Sequence, residues 1–424
     1  MNRKLQFTVI LFSVLLVGML LLGASTKKQS SPEETYRHIG VFTEVLSKIK
    51  SDYVEEPDMK NVTLGALNGL LESLDPYASY LGPDQYKQYQ KIAAGAKADV
   101  GLILAKRFGY IAIVGAIPGS PADKAGLGTG DMLETINNVN TRDMPLAYAE
   151  IMLKGEAGTT IEFSVLRFTR PEPQKVTLTR APVVLPAVSS KMLPENIGYL
   201  QVQSLAGNRL TDVEAAVKAL EKQGAKRLIL DLRNCATGDV AQGAALANLF
   251  EGQAILTYIE GQKQTRKNVE AVATKVVTKL PLTVVTNRGT AGAAEVAAAA
   301  LLETKRGPVV GERTYGDAAV RKTILMDDGA AVILSVAKYY SPSGKAIQDT
   351  GVTPLVPVID QQTAPTGDED EDAPKGEPKK PAEDEILKKA IEVAVKGVPP
   401  ETAAASKGEA GATGLGPLNI PQPK

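Results

Sequence analysis

The stretch that decides the fold runs from Ile117 to Asn137 and reads IPGSPADKAGLGTGDMLETIN. A Pro-Gly-Ser turn leads into a short helix near Pro121, and a Gly-Asp turn then leads into a strand. Short strand-like runs separated by Gly and Pro turns lie on both sides: Val100–Leu104, Ile111–Val114, Ile161–Leu166 and Lys175–Thr179. The pattern predicts a small, mainly β domain over residues 96–182.

This arrangement resembles a PDZ domain. In such domains a peptide adds a strand to the sheet edge, and successive backbone N–H groups hold its C-terminal carboxylate. The resemblance implies that these groups belong to Gly101, Leu102, Ile103 and Leu104. The alternative interpretation is that the four residues only begin an ordinary strand.

Residues 183–360 change character, because strands now alternate with helices. Apolar runs predict strands at Gly198–Val202, Arg227–Leu232, Leu282–Thr286, Val309–Val310 and Ala331–Val336, and helices at Leu210–Gln223 and Ala293–Glu303. Such alternation indicates an α/β core with a largely buried sheet.

The region before residue 96 is predicted to be helical over residues 33–95. Apolar residues recur at helical spacing over residues 35–56 and 61–74, and a third short helix is expected over residues 85–92. Asp75-Pro76 ends the second helix.

The two ends of the chain differ from the body. Residues 1–25 carry Arg3 and Lys4 ahead of a mostly apolar run, which predicts a signal-anchor or a cleaved signal peptide. Residues 361–424 are dominated by Pro, Gly, Asp, Glu and Lys, so we expect disorder with one short helix near residues 383–396. The body would then be exported: membrane-anchored with a periplasmic or other extracytoplasmic body, or secreted if the signal is cleaved.

Composition excludes several function classes. The 48 basic and 48 acidic side chains balance, so no basic excess exists to neutralise nucleic-acid phosphates. A single cysteine, Cys235, excludes an intrachain disulfide, and a single histidine, His38, excludes a metal site with several histidine ligands. We expect no metal and no organic cofactor. His38 is interpreted as a surface or helix-packing residue.

Longer motifs make the whole chain similar to the C-terminal processing (tail-specific) serine peptidase family. The resemblance covers residues 35–360 and rests on Leu74–Leu81, Asp231–Asn234, Thr286–Glu295, Gly311–Gly316 and Tyr339–Gln348 together with the PDZ pattern. It implies a crotonase-like, ClpP-like α/β peptidase core with an inserted PDZ domain and helical flanks. It also implies a Ser nucleophile with a Lys base, a pair that needs no histidine.

The residues at the family's catalytic positions differ from the family pattern. Where the family has T-A-S-A-S-E, this chain reads Thr290 to Glu295 as T-A-G-A-A-E, so the serine position falls on Gly292. The lysine position falls on Asp317, and the glutamine four residues later falls on Arg321. We expect no intact catalytic residue, since losing one member of such a unit already removes most of the rate.

The oxyanion region is partly retained, with Gly238 and Ala293 as the implied residues. Where the family has D-L-R-N-N-P-G-G, Thr237 replaces the first glycine, at a steric cost if that residue needs positive φ. Asp317 and Arg321 either form an ion pair in the vacated pocket or are both solvated. Substitutes for the nucleophile are Thr290, Cys235, Ser335, Ser341 and Ser343, and of these Cys235 is interpreted as a small loop residue.

The sequence is compatible with three alternative functions. The first is an inactive pseudopeptidase whose PDZ domain binds polypeptide C-termini and which regulates an active relative or acts as a scaffold. The second is an active serine-type peptidase that acts on protein C-termini through unrecognised residues. The third is a structural role, in which the helices drive homo- or hetero-oligomers.

Overall fold

The computed structural model describes residues 32–107, 109–142, 144–167, 170–358 and 384–399. The chain divides into two compact units, Met1–Thr63 and Leu64–Lys424. The predicted signal segment and most of the predicted tail lie outside the described residues. Within the described residues, no helix has both the length and the apolar character needed to cross a membrane.

All three N-terminal helices begin earlier than the apolar spacing suggests; the first two also end earlier, whereas the third ends later. Helix α1 covers Pro32–Asp52, α2 covers Met59–Glu72 and α3 covers Pro83–Gly95. His38 lies on α1 and is exposed, as expected of a surface residue. Helix α3 starts with a proline in its first turn, where a missing N–H costs no helical hydrogen bond.

The PDZ region is a six-stranded antiparallel sheet in the order β2-β3-β4-β6-β7, with β5 paired to β4. Its strands are β2 (Leu102–Arg107), β3 (Tyr110–Ala116), β4 (Met132–Ile136), β5 (Val139–Asn140), β6 (Thr160–Arg167) and β7 (Arg170–Thr179). Helices α4 (Pro121–Lys124) and α5 (Leu146–Leu153) complete it. Strand β2 lies at the edge of this sheet, so one of its sides has no neighbouring strand among the described residues.

The α/β core contains the expected buried sheet, in the order β17-β14-β13-β10-β9-β8. The strands are β8 (Ser189–Leu193), β9 (Ile197–Gln201), β10 (Arg227–Asp231), β13 (Leu282–Thr286), β14 (Val309–Gly311) and β17 (Val356–Pro357). All pairs are parallel except β8 with β9. Strand β13 is buried at every residue, because helices cover both faces of the sheet.

Four helices cover that sheet. They are α6 (Arg209–Lys222), α7 (Val240–Asn248), α8 (Ala293–Glu303) and α9 (Glu385–Lys396), with a 3₁₀ turn at Ala273–Lys275. Helix α8 is an apolar, alanine-rich segment in which Ala293 to Leu301 are all buried. Helix α9 packs Ile386, Ala390 and Val393 on the other face, against residues such as Ile229 and Val285.

A second sheet in the core was not predicted as such. It is antiparallel, in the order β1-β16-β11-β12 with β15 paired to β16. Its strands are β1 (Ser79–Leu81), β11 (Ile255–Gly261), β12 (Gln264–Glu270), β15 (Ala319–Leu325) and β16 (Ala331–Tyr340). The sequence analysis found only part of β16. Strand β12 is mostly polar and exposed, and Arg321 to Thr323 interrupt the apolar residues of β15, so neither has a continuous apolar run. Strand β11 has a short apolar, partly buried run that was missed.

Candidate active site and peptide-binding edge

The predicted nucleophile position lies on a sharp turn between β13 and α8. Gly292 precedes the first residue of α8 and has φ 63° and ψ −121°, a backbone conformation that residues with a side chain rarely adopt. An ideal Cβ placed on Gly292 would lie 3.7 Å from the carbonyl oxygen of Asp317. The turn therefore has space for a small side chain, but it carries no hydroxyl.

Glu295 holds this turn to the segment that carries the predicted base position. Its Oε2 accepts the N–H groups of Gly292 at 3.0 Å and Asp317 at 2.7 Å, and its Oε1 accepts the N–H of Gly316 at 2.7 Å and the Thr314 hydroxyl. The side chain is fully buried. Burial raises the pKa of Glu295 to about 7, although its hydrogen bonds act in the opposite direction. One buried carboxyl group therefore links the turn at Gly292 to the segment that carries Asp317.

The predicted base and orienter positions form an ion pair. Arg321 donates to the Asp317 carboxylate, and the two side chains are 31% and 28% exposed. The Arg321 guanidinium also lies 4.0 Å from the centre of the Tyr77 ring. Burial lowers the pKa of Arg321, but the charge and hydrogen bond of Asp317 outweigh it and hold the pKa above its ordinary value. Of the two alternatives, the structure shows the paired arrangement.

The substitute nucleophiles nearest the turn are occupied or inaccessible. Thr290 is fully buried, and its hydroxyl donates to the Leu232 carbonyl at 2.9 Å while accepting the Asn287 N–H at 3.0 Å. Cys235 is also buried, and this burial raises the pKa of its thiol to about 12. A neutral thiol is a poor nucleophile, so Cys235 fits the interpretation as a small loop residue.

The three downstream serines lie on other parts of the core. Ser335 belongs to β16, where it is paired in register with Arg321 across the β15–β16 ladder. Its hydroxyl is buried without a hydrogen-bond partner among the described residues. Ser341 and Ser343 follow β16, and their hydroxyl oxygens lie 3.3 Å apart. The Ser341 hydroxyl accepts the backbone N–H of Lys345 at 3.2 Å. No lysine or histidine side chain is hydrogen-bonded to these three hydroxyls in the described part of the chain.

The oxyanion loop does not impose the steric cost considered for Thr237. Positive φ falls on Gly238, at 123°, and not on Thr237. The Thr237 hydroxyl donates to Ser204 at 2.8 Å, and the Thr237 carbonyl accepts the Leu205 N–H at 2.9 Å. Ala293 is the first, buried residue of α8.

The PDZ sheet packs directly against this part of the core. The hydrophobic cluster of the PDZ region includes Tyr77 and Ala291. Arg107, the last residue of β2, donates to the Tyr315 hydroxyl at 3.1 Å and lies 4.5 Å from that ring. A cavity of about 530 Å³ remains beside this contact, with Arg288 and Arg313 in its wall.

Only one of the four predicted peptide-binding residues lies in a loop. Gly101 has φ 83° and precedes the strand, whereas Leu102, Ile103 and Leu104 lie in β2. An ideal Cβ on Gly101 would lie 2.3 Å from the Ser120 Cβ, so this position has no space for a side chain. Gly101 therefore lies in a loop and the other three residues lie in the edge strand; binding of a peptide carboxylate by these four residues stays a prediction.

The chain is similar to known proteins in two regions and over most of its length. Residues 196–358 match the family model of peptidase family S41, and residues 113–167 match the family model of the PDZ domain. The chain is 32% identical over 366 residues to a carboxy-terminal processing protease of Bacillus subtilis, covering 84% of this chain and 78% of that one. It is 28% identical to a carboxy-terminal-processing protease of Bartonella bacilliformis, covering 85% and 83%.

A solved structure is similar as well. The photosystem II D1 C-terminal processing protease aligns with a TM-score of 0.62 at 26% identity, covering 76% of this chain and 92% of that one. The fold and the relatives place the chain in a defined class, PDZ-containing serine peptidases. It belongs to peptidase family S41, the C-terminal processing peptidases.

Sequence reasoning missed several residues of the site. The links made by Glu295, the packing of Arg321 on Tyr77 and the contact of Arg107 with Tyr315 all join segments far apart in sequence. Glu295 had one visible signal, since it is the sole charged residue between Ala293 and Leu302. The catalytic roles of positions 292, 317 and 321 stay predictions from the resemblance.

Proposed function

We propose that this chain is a catalytically inactive member of its family, which binds polypeptide C-termini through its PDZ domain and acts as a regulator or scaffold. The observation that carries the proposal is the arrangement around Gly292. The turn, the helix and the buried Glu295 are in place, but position 292 has no side chain. A peptidase of this type needs a nucleophile there and a base beside it.

The predicted base position supports the same proposal. A general base must face the nucleophile with a free lone pair that accepts the nucleophile's proton. Asp317 is instead engaged by the guanidinium of Arg321, which remains charged throughout the physiological pH range. The ion pair also fills the space around Tyr77, where the family's lysine and glutamine would be expected.

The binding part of the proposal rests on the PDZ edge. Strand β2 ends the sheet, and a peptide strand added there would gain main-chain hydrogen bonds without help from catalytic side chains. Bound partners would be polypeptides with a free C-terminus. This chain would form oligomers with itself or with an active relative. Binding of a polypeptide C-terminus within such an oligomer would then have a regulatory effect.

The place of action is part of the proposal. The N-terminal run before Ser25 favours export, with the body in the periplasm or another extracytoplasmic compartment of the cell envelope. Cleavage of the segment would release the protein, and retention would anchor it.

Proteolysis of an unfolded protein tests the proposal directly. The purified full-length chain is incubated with unfolded casein, and the products are followed by gel and mass spectrometry. We expect no cleavage, with Thr290→Ala and Cys235→Ala variants equally silent. Cleavage that survives repurification and disappears in either variant would favour the alternative, an active peptidase with a new nucleophile.

A further inference from the structure

A carboxylate of the chain itself lies at the start of the PDZ edge strand. Asp99 Oδ1 accepts the backbone N–H of Gly101 at 2.8 Å. The backbone of Asp99 is fixed on the other side, because Asp99 and Ala181 exchange N–H···O bonds of 3.0 and 3.1 Å. The negative charge is therefore held in a defined place, immediately before Leu102 begins β2.

This place is where the C-terminal carboxylate of an added strand would bind. The Gly101 carbonyl accepts the Ile117 N–H of the neighbouring chain segment at 2.8 Å. In a trans peptide the next N–H, that of Leu102, points in the opposite direction, away from β3 and towards the free edge. The N–H groups of Gly101 and Leu102 thus stand in succession at the end of an edge strand, the donor arrangement that captures a carboxylate.

A buried cation precedes Ala181, the residue whose backbone pairs with Asp99. Arg180 is 9% exposed, and it donates to the carbonyls of Met152 at 2.7 Å and Leu153 at 3.0 Å, at the end of α5. Its other bonds go to Thr159 and the Thr160 carbonyl. All these acceptors are neutral, so they leave its charge uncompensated. Asp99 supplies the opposing charge: burial lowers the pKa of Arg180, and Asp99 acts in the other direction.

We infer that Asp99 sets the specificity of the PDZ edge by occupying the position where a peptide carboxylate would bind. This inference rests on the proposed function. A polypeptide C-terminus has to displace Asp99 from Gly101 and to enter beside its negative charge. Binding of a free C-terminus is then weak and reversible in the native chain. An end without a negative charge avoids the repulsion but gains less than a carboxylate from the Gly101 N–H and the charge of Arg180.

Two substitutions separate occupancy from charge. Asp99→Asn keeps an oxygen that can accept the Gly101 N–H but removes the charge, whereas Asp99→Ala removes both. Free-acid peptides should bind about tenfold more tightly to Asp99→Ala, a change equivalent to about 1.4 kcal/mol. Asp99→Asn should lie between this variant and the native chain. Amidated peptides should change by less than about twofold, since they carry no charge for Asp99 to repel.

Fluorescence anisotropy measures these affinities on the full-length protein. The probes are fluorescein-labelled ten-residue peptides ending in Ala, Val, Leu or Phe, each as the free acid and as the amide. The matched control is Asp123→Ala, because Asp123 also accepts a glycine N–H in this domain, that of Gly119 at 2.8 Å. Thermal unfolding of each variant shows that the fold is retained.

The outcomes distinguish failure of this inference from failure of the proposed function on which it rests. The inference is supported if Asp99→Ala increases the affinity for free-acid peptides but not for amidated ones. This holds even when the native chain binds too weakly to measure. Saturable binding in which acids and amides respond alike to Asp99→Ala overturns the role of Asp99 and leaves peptide binding intact. Absence of saturable binding in every protein, including Asp99→Ala, overturns both.

Discussion

The turns at Gly292 and Gly101 both contain a glycine with positive φ, but the function expected at each turn needs a different chemical group. At Gly292 the family chemistry needs a side-chain hydroxyl, which glycine cannot supply. At Gly101 peptide capture needs only backbone N–H groups, and a side chain would collide with Ser120. Glycine therefore cannot supply the hydroxyl that the family chemistry needs at position 292, but it is compatible with backbone capture of a peptide at position 101.

The difference teaches that catalysis would depend on a side chain at position 292, whereas peptide binding would depend on the backbone at position 101. The scaffold around Gly292 depends on Glu295 and Thr290, whose bonds hold the turn whether or not a nucleophile is present. The PDZ edge depends on the sheet and on Gly101. The predictions below test first the scaffold and then the vacated site.

The largest effect is expected from removing the carboxyl group that holds the vacated turn. Glu295→Ala leaves four buried donors without their acceptor, and each such loss is costly. We expect the free energy of unfolding to fall by about 4 kcal/mol, measured by urea denaturation. Glu303→Ala is the control on the same helix, because Glu303 accepts one N–H, that of Ser343. A loss for Glu295→Ala no greater than the control's would show that Glu295 does not hold the turn.

The same carboxyl group should make stability depend on pH. Its folded-state pKa of about 7 exceeds the ordinary 4.5, so the folded state binds the proton more tightly than the unfolded state. The contribution is complete below pH 4.5 and is lost as the pH rises through 7, amounting to about 3 kcal/mol. Urea unfolding between pH 4.5 and 8 should show this decline in the native chain and not in Glu295→Gln. Parallel pH profiles for the two proteins would refute the assignment.

A smaller effect is expected at the turn itself. Gly292→Ala and Gly292→Ser place a side chain at φ 63°, where space exists but the backbone conformation is unfavourable. Each should lower the free energy of unfolding by about 1–2 kcal/mol, as measured by thermal or urea unfolding.

Gly128→Ala is the matched control for the turn. Gly128 lacks a positive φ, and no heavy atom lies within 4 Å of its ideal Cβ, so we expect a change below about 0.5 kcal/mol. Equal effects at both positions would show that the Gly292 turn relaxes freely.

The smallest effect is expected from the ion pair in the vacated site. A double-mutant cycle of Asp317→Ala and Arg321→Ala should give a coupling free energy of about 1 kcal/mol, because both side chains are less than one-third exposed. The comparison pair is Lys338 with Asp349, whose side chains are 40% and 49% exposed. It should couple by less than about 0.5 kcal/mol. The reverse order would mean that the pair at Asp317 is a solvated surface contact.

Sequence patterns predicted some buried elements of the core and missed others, such as α7 and β11. The apolar run of β13 and the alanine-rich α8 lie at the expected residues, 282–286 and 293–303, because continuous burial leaves a continuous apolar signal. Strand β12 escaped prediction for the opposite reason, since its exposed residues are polar, and in β15 the polar residues Arg321 to Thr323 interrupt the apolar pattern. Tertiary pairing, and not local pattern, makes them strands.

The candidate site divides in the same way. The absence of a hydroxyl at Gly292 was readable from the motif alone. The bond from Gly101 to Asp99 had a local signal, an aspartate two residues before a glycine, but that signal suits many turns. The four donors of Glu295 come from segments about twenty residues apart in the chain, so only the fold brings them together.

Restoring the catalytic residues tests the central claim most directly. The measurement compares casein cleavage by the native chain with that by a Gly292→Ser, Asp317→Lys, Arg321→Gln variant, with and without Thr237→Gly. Our account predicts a silent native chain and cleavage by the restored variant, because the turn and its Glu295 support remain in place. Cleavage by the native chain, undiminished after repurification, would contradict the claim that this member of the family has lost its chemistry.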